Sequence, residues 1–194
     1  MFGYVRVVLV VLAVGLLIWW APWRPLIASI RLPDGYEQYE TADFQVLHPE
    51  AWQVREGADR QGNRYVEFNG PATENGAYSA QARVVTWPNF TYDIQGKLSQ
   101  FRAASRESGY RILAERAITL PNAVRAHRFE VEQRTKTPTG ATVRLRGTQI
   151  FALTGKHALL DFVVRSPEGE RRPAELTRVF DSFQAATEKK GFLG

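Results

Sequence analysis

Hydrophobic residues follow three patterns along this chain, and each pattern predicts a different kind of element. The first is an unbroken apolar run from Val7 to Ala21, VVLVVLAVGLLIWWA. By itself it falls short of the roughly 20 residues needed to cross ~30 Å of hydrocarbon. Extended from Phe2 to Trp23, with Arg6 snorkelling toward the headgroups, it reaches a workable length. Trp19, Trp20 and Trp23 then form an interfacial belt beside Pro22 and Arg24, where an indole keeps its apolar body in lipid and its N–H wet. A cleaved secretory signal is the competing reading, but its sites are poor. Ala21 has Trp19 two residues before it and Pro22 after it, and Ala28 has Leu26 two residues before it. Positive charges flank the run almost evenly, so they do not set its orientation.

The second pattern is short alternation. Phe44 to His48 alternates Phe44, Val46 and His48 against Gln45 and Leu47; Trp52–Glu56 and Arg64–Phe68 flank a Gly-containing loop and suggest a hairpin; Tyr78–Trp87 is extended and ends at Pro88. From Ala123 to Ser166 the turns predict a three-stranded meander with a definite register. The loop Thr137-Pro138-Thr139-Gly140 sets Glu130 opposite Arg146, Glu132 opposite Arg144 and Val131 opposite Leu145, so charges meet on one face. The Gly155-Lys156 centre of the next turn suits a type II′ hairpin, which pairs Phe151 with Leu160 and Gln149 with Phe162. The resulting sheet is apolar on both sides, so helices or loops should cover both faces.

The third pattern is helical spacing. Asp93 stands at an N-cap, Ile94, Leu98, Phe101 and Ser105 follow on one face, and Gly109 offers a left-handed stop. Near the end Pro173 opens a second helix, with Leu176, Val179, Phe180 and Phe183 as its apolar stripe. The expected organisation is a transmembrane anchor over 1–23, a juxtamembrane connector over 24–42 marked by Pro25, Pro33 and Gly35, a globular domain over 43–187, and a tail over 188–194. The fold class is α+β: an antiparallel sheet with helices packed on it, preceded by one N-terminal transmembrane helix.

Charge and composition narrow the function classes. The net charge of +5 suggests nucleic acid at first sight, yet Arg6, Arg24 and Arg31 around the apolar run supply three of those charges. The remainder is near neutral, with no basic run longer than two residues, which excludes a nucleic-acid partner from the expected ones. Absence of cysteine removes disulfides, thiolate metal sites and a lipid-acceptor cysteine.

No catalytic, cofactor or metal site is expected. Of His48, His127 and His157, His127 shares a strand face with Phe129 and Val131 and has no other histidine or carboxylate placed beside it, and His157 sits in a turn; Glu130 and Glu132 face arginines rather than each other across a cleft. No serine sits in a Gly-x-Ser-x-Gly context, and no glycine cluster makes a phosphate loop. Trp87-Pro88-Asn89-Phe90-Thr91-Tyr92 is the feature with functional content. Its three aromatics, Trp87, Phe90 and Tyr92, lie in a strand-to-helix loop and could dock on a partner or bilayer surface. Their structural alternative is to cap the core at the sheet edge.

Two segments resemble the PsbP-like α/β/α sandwich families, to which PsbP, DcrB and LpqN-type envelope proteins belong. Phe44-x-Val46-x-x-Pro49-x-x-Trp52 is similar to their first strand and Pro-x-x-Trp turn, and Val179-Phe180-Asp181-Ser182-Phe183 to their closing helix. The resemblance implies a sandwich fold and a non-enzymatic role, with a photosynthetic or respiratory assembly as a natural setting. The expected function is therefore a non-catalytic accessory subunit of a bacterial membrane complex, single-pass, with its domain on the extracytoplasmic (periplasmic) side. Its partners would be membrane lipids, through residues 2–23, and other subunits. The alternatives are a tethered binding module for a lipid or small ligand held between sheet and helix, and an enzyme with a scattered site.

Overall fold

The computed structural model describes residues 32–107, 109–168 and 174–187. The expected anchor with Trp19, Trp20 and Trp23, the helix start at Pro173 and the tail over 188–194 lie outside the described residues. Among the described residues, no helix is long and apolar enough to cross a membrane. The chain divides at Pro33/Asp34 into two units, and the strands and helices that follow belong to the second.

Five strands, β1 (Tyr36–Glu40), β2 (Phe44–Pro49), β3 (Gln53–Ala58), β4 (Arg64–Asn69) and β5 (Gln81–Trp87), precede helix α1 (Ile94–Glu107). A meander follows: β6 (Tyr110–Ile118), β7 (Ala123–Lys136), β8 (Thr142–Thr154) and β9 (Leu159–Pro167). Helix α2 (Ala174–Ser182) and the short β10 (Gln184–Ala185) close the unit. All strand pairing is antiparallel, in a seven-stranded sheet of order β3-β4-β5-β9-β8-β7-β6 and a three-stranded sheet of order β1-β2-β10.

Besides the two-residue β10, two strands lie where none was expected. β1 occupies the end of the span read as a connector and pairs along β2 from Tyr36 to Glu40, although Tyr36 and Tyr39 stand three apart and give no strand alternation. β6 is largely exposed, interrupted by a bulge between Ile112 and Ala114, and its charged positions hide the alternation. The expected three-stranded meander therefore has four strands.

The large sheet is apolar on both faces, as expected, and strand β8 shows how. Ile150 and Ala152 point into a core built with Phe44, Phe68, Phe162, Leu176, Val179 and Phe183, which α2 and the small sheet cover. Phe151 points the other way, into a second core with Ile94, Leu98, Phe129, Val131 and Leu159, which α1 covers. Phe162 and Phe183 stack with ring centroids 4.0 Å apart. Each fully buried side chain of this size contributes about 1.5–3 kcal/mol of transfer free energy. Ser182, the last residue of α2, ties it to β2: its Oγ accepts the Leu47 N–H at 2.9 Å and donates to the Val179 carbonyl.

The meander register differs from expectation at both turns, for one reason. Four tight turns share a single geometry: Asp59–Asn63, Thr73–Ala77, Thr137–Ala141 and Thr154–Ala158. In each, the first residue's carbonyl accepts the N–H three positions on, and its own N–H donates to the carbonyl four positions on. The fourth residue is left-handed: Gly62, Gly76, Gly140 and His157 have φ of 82°, 73°, 85° and 58°. This is the three-residue hairpin loop, a type I turn followed by an αL residue. Asp59 reinforces its turn by accepting the Gln61 and Asn63 N–H groups, and Thr154 Oγ1 accepts the Ala158 N–H.

At Gly140 this geometry moves the β7–β8 register by two residues, so Glu130 faces Thr148 and Glu132 faces Arg146. The faces survive, and Glu132 still reaches Arg144 diagonally at 3.6 Å. At His157 the consequence is larger. The left-handed residue is His157 and not Gly155, so the type II′ expectation fails and β8–β9 slips by one: Phe151 faces Asp161, and Gln149 faces Val163. A one-residue slip exchanges the two faces of a strand. Leu160 and Phe162 therefore join the α2 side, and Asp161 and Arg165 turn to the α1 side.

Candidate binding face

Helix α1 lies over β6 and β8, and its Leu98 and Phe101 fill the space against Phe129 and Phe151. Phe101 sits 4.9 and 5.2 Å from those two rings, centroid to centroid. The space between sheet and helix, expected as a possible ligand cavity, is thus occupied by side chains. Beyond Leu159 the same face continues across β9, β5 and β4, where α1 does not cover it, and here polar residues replace apolar ones.

Each row of this face follows from the antiparallel pairing. One row places Tyr65, Val85, Asp161 and Phe151 side by side; the next places Glu67, Arg83, Val163 and Gln149; a third places Asn69, Gln81, Arg165 and Gly147. Arg83 lies with its guanidinium carbon 4.5 Å from the Tyr65 ring centroid. Its Nε is 3.5 Å from Glu67 Oε1, close enough for an ion pair yet without a hydrogen bond, since no acceptor meets that buried nitrogen among the described residues. Gln149 donates to Asp161 Oδ1 at 2.6 Å. Burial pushes the Asp161 carboxyl up to about 6, against the pull of the Gln149 hydrogen bond and of Lys97 and Arg83. Arg165 donates through Nε to Gln81 Oε1 at 2.6 Å and through Nη1 to Gln133 Oε1 at 3.0 Å. Gln81 in turn donates to Asn69. Burial also raises the Tyr110 hydroxyl at the end of this network, opposed by the charge of Arg165.

The aromatic loop divides between core and solvent. Trp87 and Phe90 are half-buried against the α1-side core, with Lys97 Nζ 4.2 Å above the Trp87 ring. Asn89 adopts a left-handed φ of 54°, and the Phe90 N–H donates to the His157 carbonyl, which fastens the loop to the β8–β9 turn. Only Tyr92 stands out, 78% exposed, with its ring 5.9 Å from that of Phe90.

The histidines are dispersed. His48 is buried beside Phe68 with Nδ1 3.0 Å from the Pro49 carbonyl. His127 packs on Phe129, and burial lowers its pKa; His157 is an exposed turn residue. Glu130 is held by Arg128 and by Thr148 Oγ1, and Glu132 by Arg144. No three His, Cys, Asp or Glu side chains gather as metal ligands among the described residues.

The fold is thus a mixed, sheet-dominated one with antiparallel sheets and two helices among the described residues. No protein-family model matches the chain, and no curated protein matches it in sequence. Among solved structures it is similar to a protein of Bacteroides thetaiotaomicron, at 13% identity over 75% of this chain and 46% of that one, with a TM-score of 0.45. This chain therefore spans less than half the length of that relative. It is also similar to the Ran-binding protein Mog1p of Saccharomyces cerevisiae, at 11% identity over 78% and 96% of the two chains and a TM-score of 0.46. A third similarity is to LpqN, involved in cell envelope biogenesis of Mycobacterium tuberculosis, at 13% identity over 80% and 87% and a TM-score of 0.46. At these scores the likeness is one of broad architecture, and no residue role passes from those proteins to this one.

Proposed function

We propose that this chain is a membrane-tethered, non-catalytic accessory subunit of a bacterial membrane complex, with a PsbP-like folded unit that works by contact outside the cytoplasm. The observation that supports it best is the half of the α1-side face left open beyond Leu159. Arg83 and Glu67 keep 32% and 23% of their side-chain exposure there, beside a stacked Tyr65. Arg and Tyr on a sheet face are residue types that anchor protein interfaces, since both offer large area and directed donors at small entropy cost. Its polar groups are mostly paired with one another, Asp161 with Gln149 and Arg165 with two glutamines, which suits a preformed contact surface better than a reacting centre. The PsbP-like assignment rests on the Pro49–Trp52 turn, whose backbone bond is 3.0 Å with Trp52 buried, and on the Ser182–Phe183 ending. Tethering rests on the Phe2–Trp23 segment. The test is retention of full-length Arg83→Ala and Tyr92→Ala variants in the native complex, each first checked for an unchanged melting temperature. Loss of either from the complex supports the reading, and full retention of both removes these surfaces as the interface.

A further inference from the structure

At the far end of the open face, two hairpin tips close over the sheet. Thr139 Oγ1 of the β7–β8 turn donates to the Asn75 carbonyl of the Thr73–Ala77 turn at 2.7 Å, and Gly76 lies so close that a Cβ there would meet Thr139 Cγ2 at 3.1 Å. Beneath this clamp lies a cavity of about 230 Å³. Its walls are partly apolar, from Tyr78, Pro138, Val143 and Leu145, with Lys136 beside them, and its floor is Arg165 with Gln81. The volume is below the ~300–1,000 Å³ of drug-sized sites and suits a small ligand.

The floor has an unusual charge balance. The other half-buried arginines, Arg83, Arg102 and Arg128, each meet a carboxylate. Arg165 is half-buried and meets none among the described residues; its partners are neutral, the amide oxygens of Gln81 and Gln133 and the Tyr110 hydroxyl. Those amides fix the guanidinium plane through Nε and Nη1 and leave its charge uncompensated. Gly147 faces it across the strands, where a Cβ would come within 2.9 Å of Arg165 Cβ and 2.2 Å of the Val164 carbonyl oxygen, so only glycine admits this arrangement. A partly desolvated, oriented guanidinium without a counter-charge gains most from a planar anion that accepts its remaining N–H groups.

We infer that the cavity between the Thr73–Ala77 and β7–β8 turns binds a small organic monocarboxylate, with the carboxylate on Arg165 and an apolar body against Tyr78, Pro138, Val143 and Leu145. This site is separate from the contact reading above, because it needs no partner protein. The experiment uses the full-length chain in lipid nanodiscs, with empty nanodiscs as the blank. Benzoate and hexanoate are titrated against benzamide and hexanamide, by calorimetry and ligand-observed magnetic resonance. The acids should bind about tenfold or more tightly than the matching amides. Arg165→Met should abolish that preference, and Arg144→Met, on the outer face, should leave it intact. Val143→Phe fills the cavity without touching the charge and should also abolish acid binding, which keeps the test decisive if Arg165→Met fails to fold. Equal binding of acid and amide, retention of acid binding by Val143→Phe or by a folded Arg165→Met, or no acid binding up to ~10 mM would each overturn the assignment.

Discussion

Asp161 is a carboxyl whose surroundings oppose its charge: it sits on the α1-side face beside Phe151 and Val85, and burial lifts its pKa from the ordinary 3.8 to about 6. The sign of the linkage follows from the raised value. Between about pH 4 and pH 6 the folded chain holds a proton that the unfolded chain has released, so this group's contribution is fully present below pH 4 and is lost as pH rises through 6. The loss is about 1–3 kcal/mol, the lower figure allowing for solvent at a partly exposed side chain. Asp161→Asn keeps an oxygen for Gln149 and should flatten this decline, raising stability at pH 7 but not at pH 4, as read by thermal melts of both proteins at the two pH values. Equal pH dependence in both proteins would mean that Asp161 is solvated. The turn residues give a second test. Gly140 has φ of 85°, so Gly140→Ala should cost about 1–2 kcal/mol. Gly155 has no positive φ, and Gly155→Ala should cost under ~0.5 kcal/mol. A type II′ turn would instead make Gly155→Ala the costly change.

Helix α2 carries the clearest energetic test among the elements. Phe183 is 2% exposed and stacks on Phe162, so Phe183→Ala should cost ~3–5 kcal/mol in denaturant unfolding. Phe180 is only partly buried at the edge of the same core, and Phe180→Ala should cost about 1–2 kcal/mol. Equal losses would show that the helix is rotated from its described packing. Helices α1 and α2 and the β3–β4 hairpin could be recognised from the sequence because their signals are local: spacing of 3.6, a left-handed stop at Gly109, a Gly-containing loop. Register was less accessible. Gly155 invites a two-residue turn, yet the exposed His157 takes the left-handed position, and nothing local distinguishes the two. That single slip also hid the candidate site. In the expected register Asp161 would fall opposite Ile150 in the α2-side core; in the observed one it joins Gln149, Arg83 and Arg165 on a shared face. β1 and β6 escaped because edge strands carry charged or polar residues where alternation would otherwise show.

For the whole molecule, the sequence argues for a tether and the structure offers a face. If Phe2–Trp23 spans the bilayer, the mature protein should fractionate with membranes and keep its N-terminus on sequencing. A soluble chain starting after residue 20 would contradict the tether. A near-neutral unit held at a membrane needs little intrinsic affinity, because tethering raises its effective concentration at neighbouring subunits. The most direct measurement of the central claim is the native size of the full-length chain extracted from its own membranes in mild detergent, beside a folded Arg83→Ala, Tyr92→Ala double variant. The account predicts that the parent chain migrates within a larger complex and that the double variant is released from it. A parent chain that migrates alone, or a double variant that stays in the complex with undiminished occupancy, would contradict it.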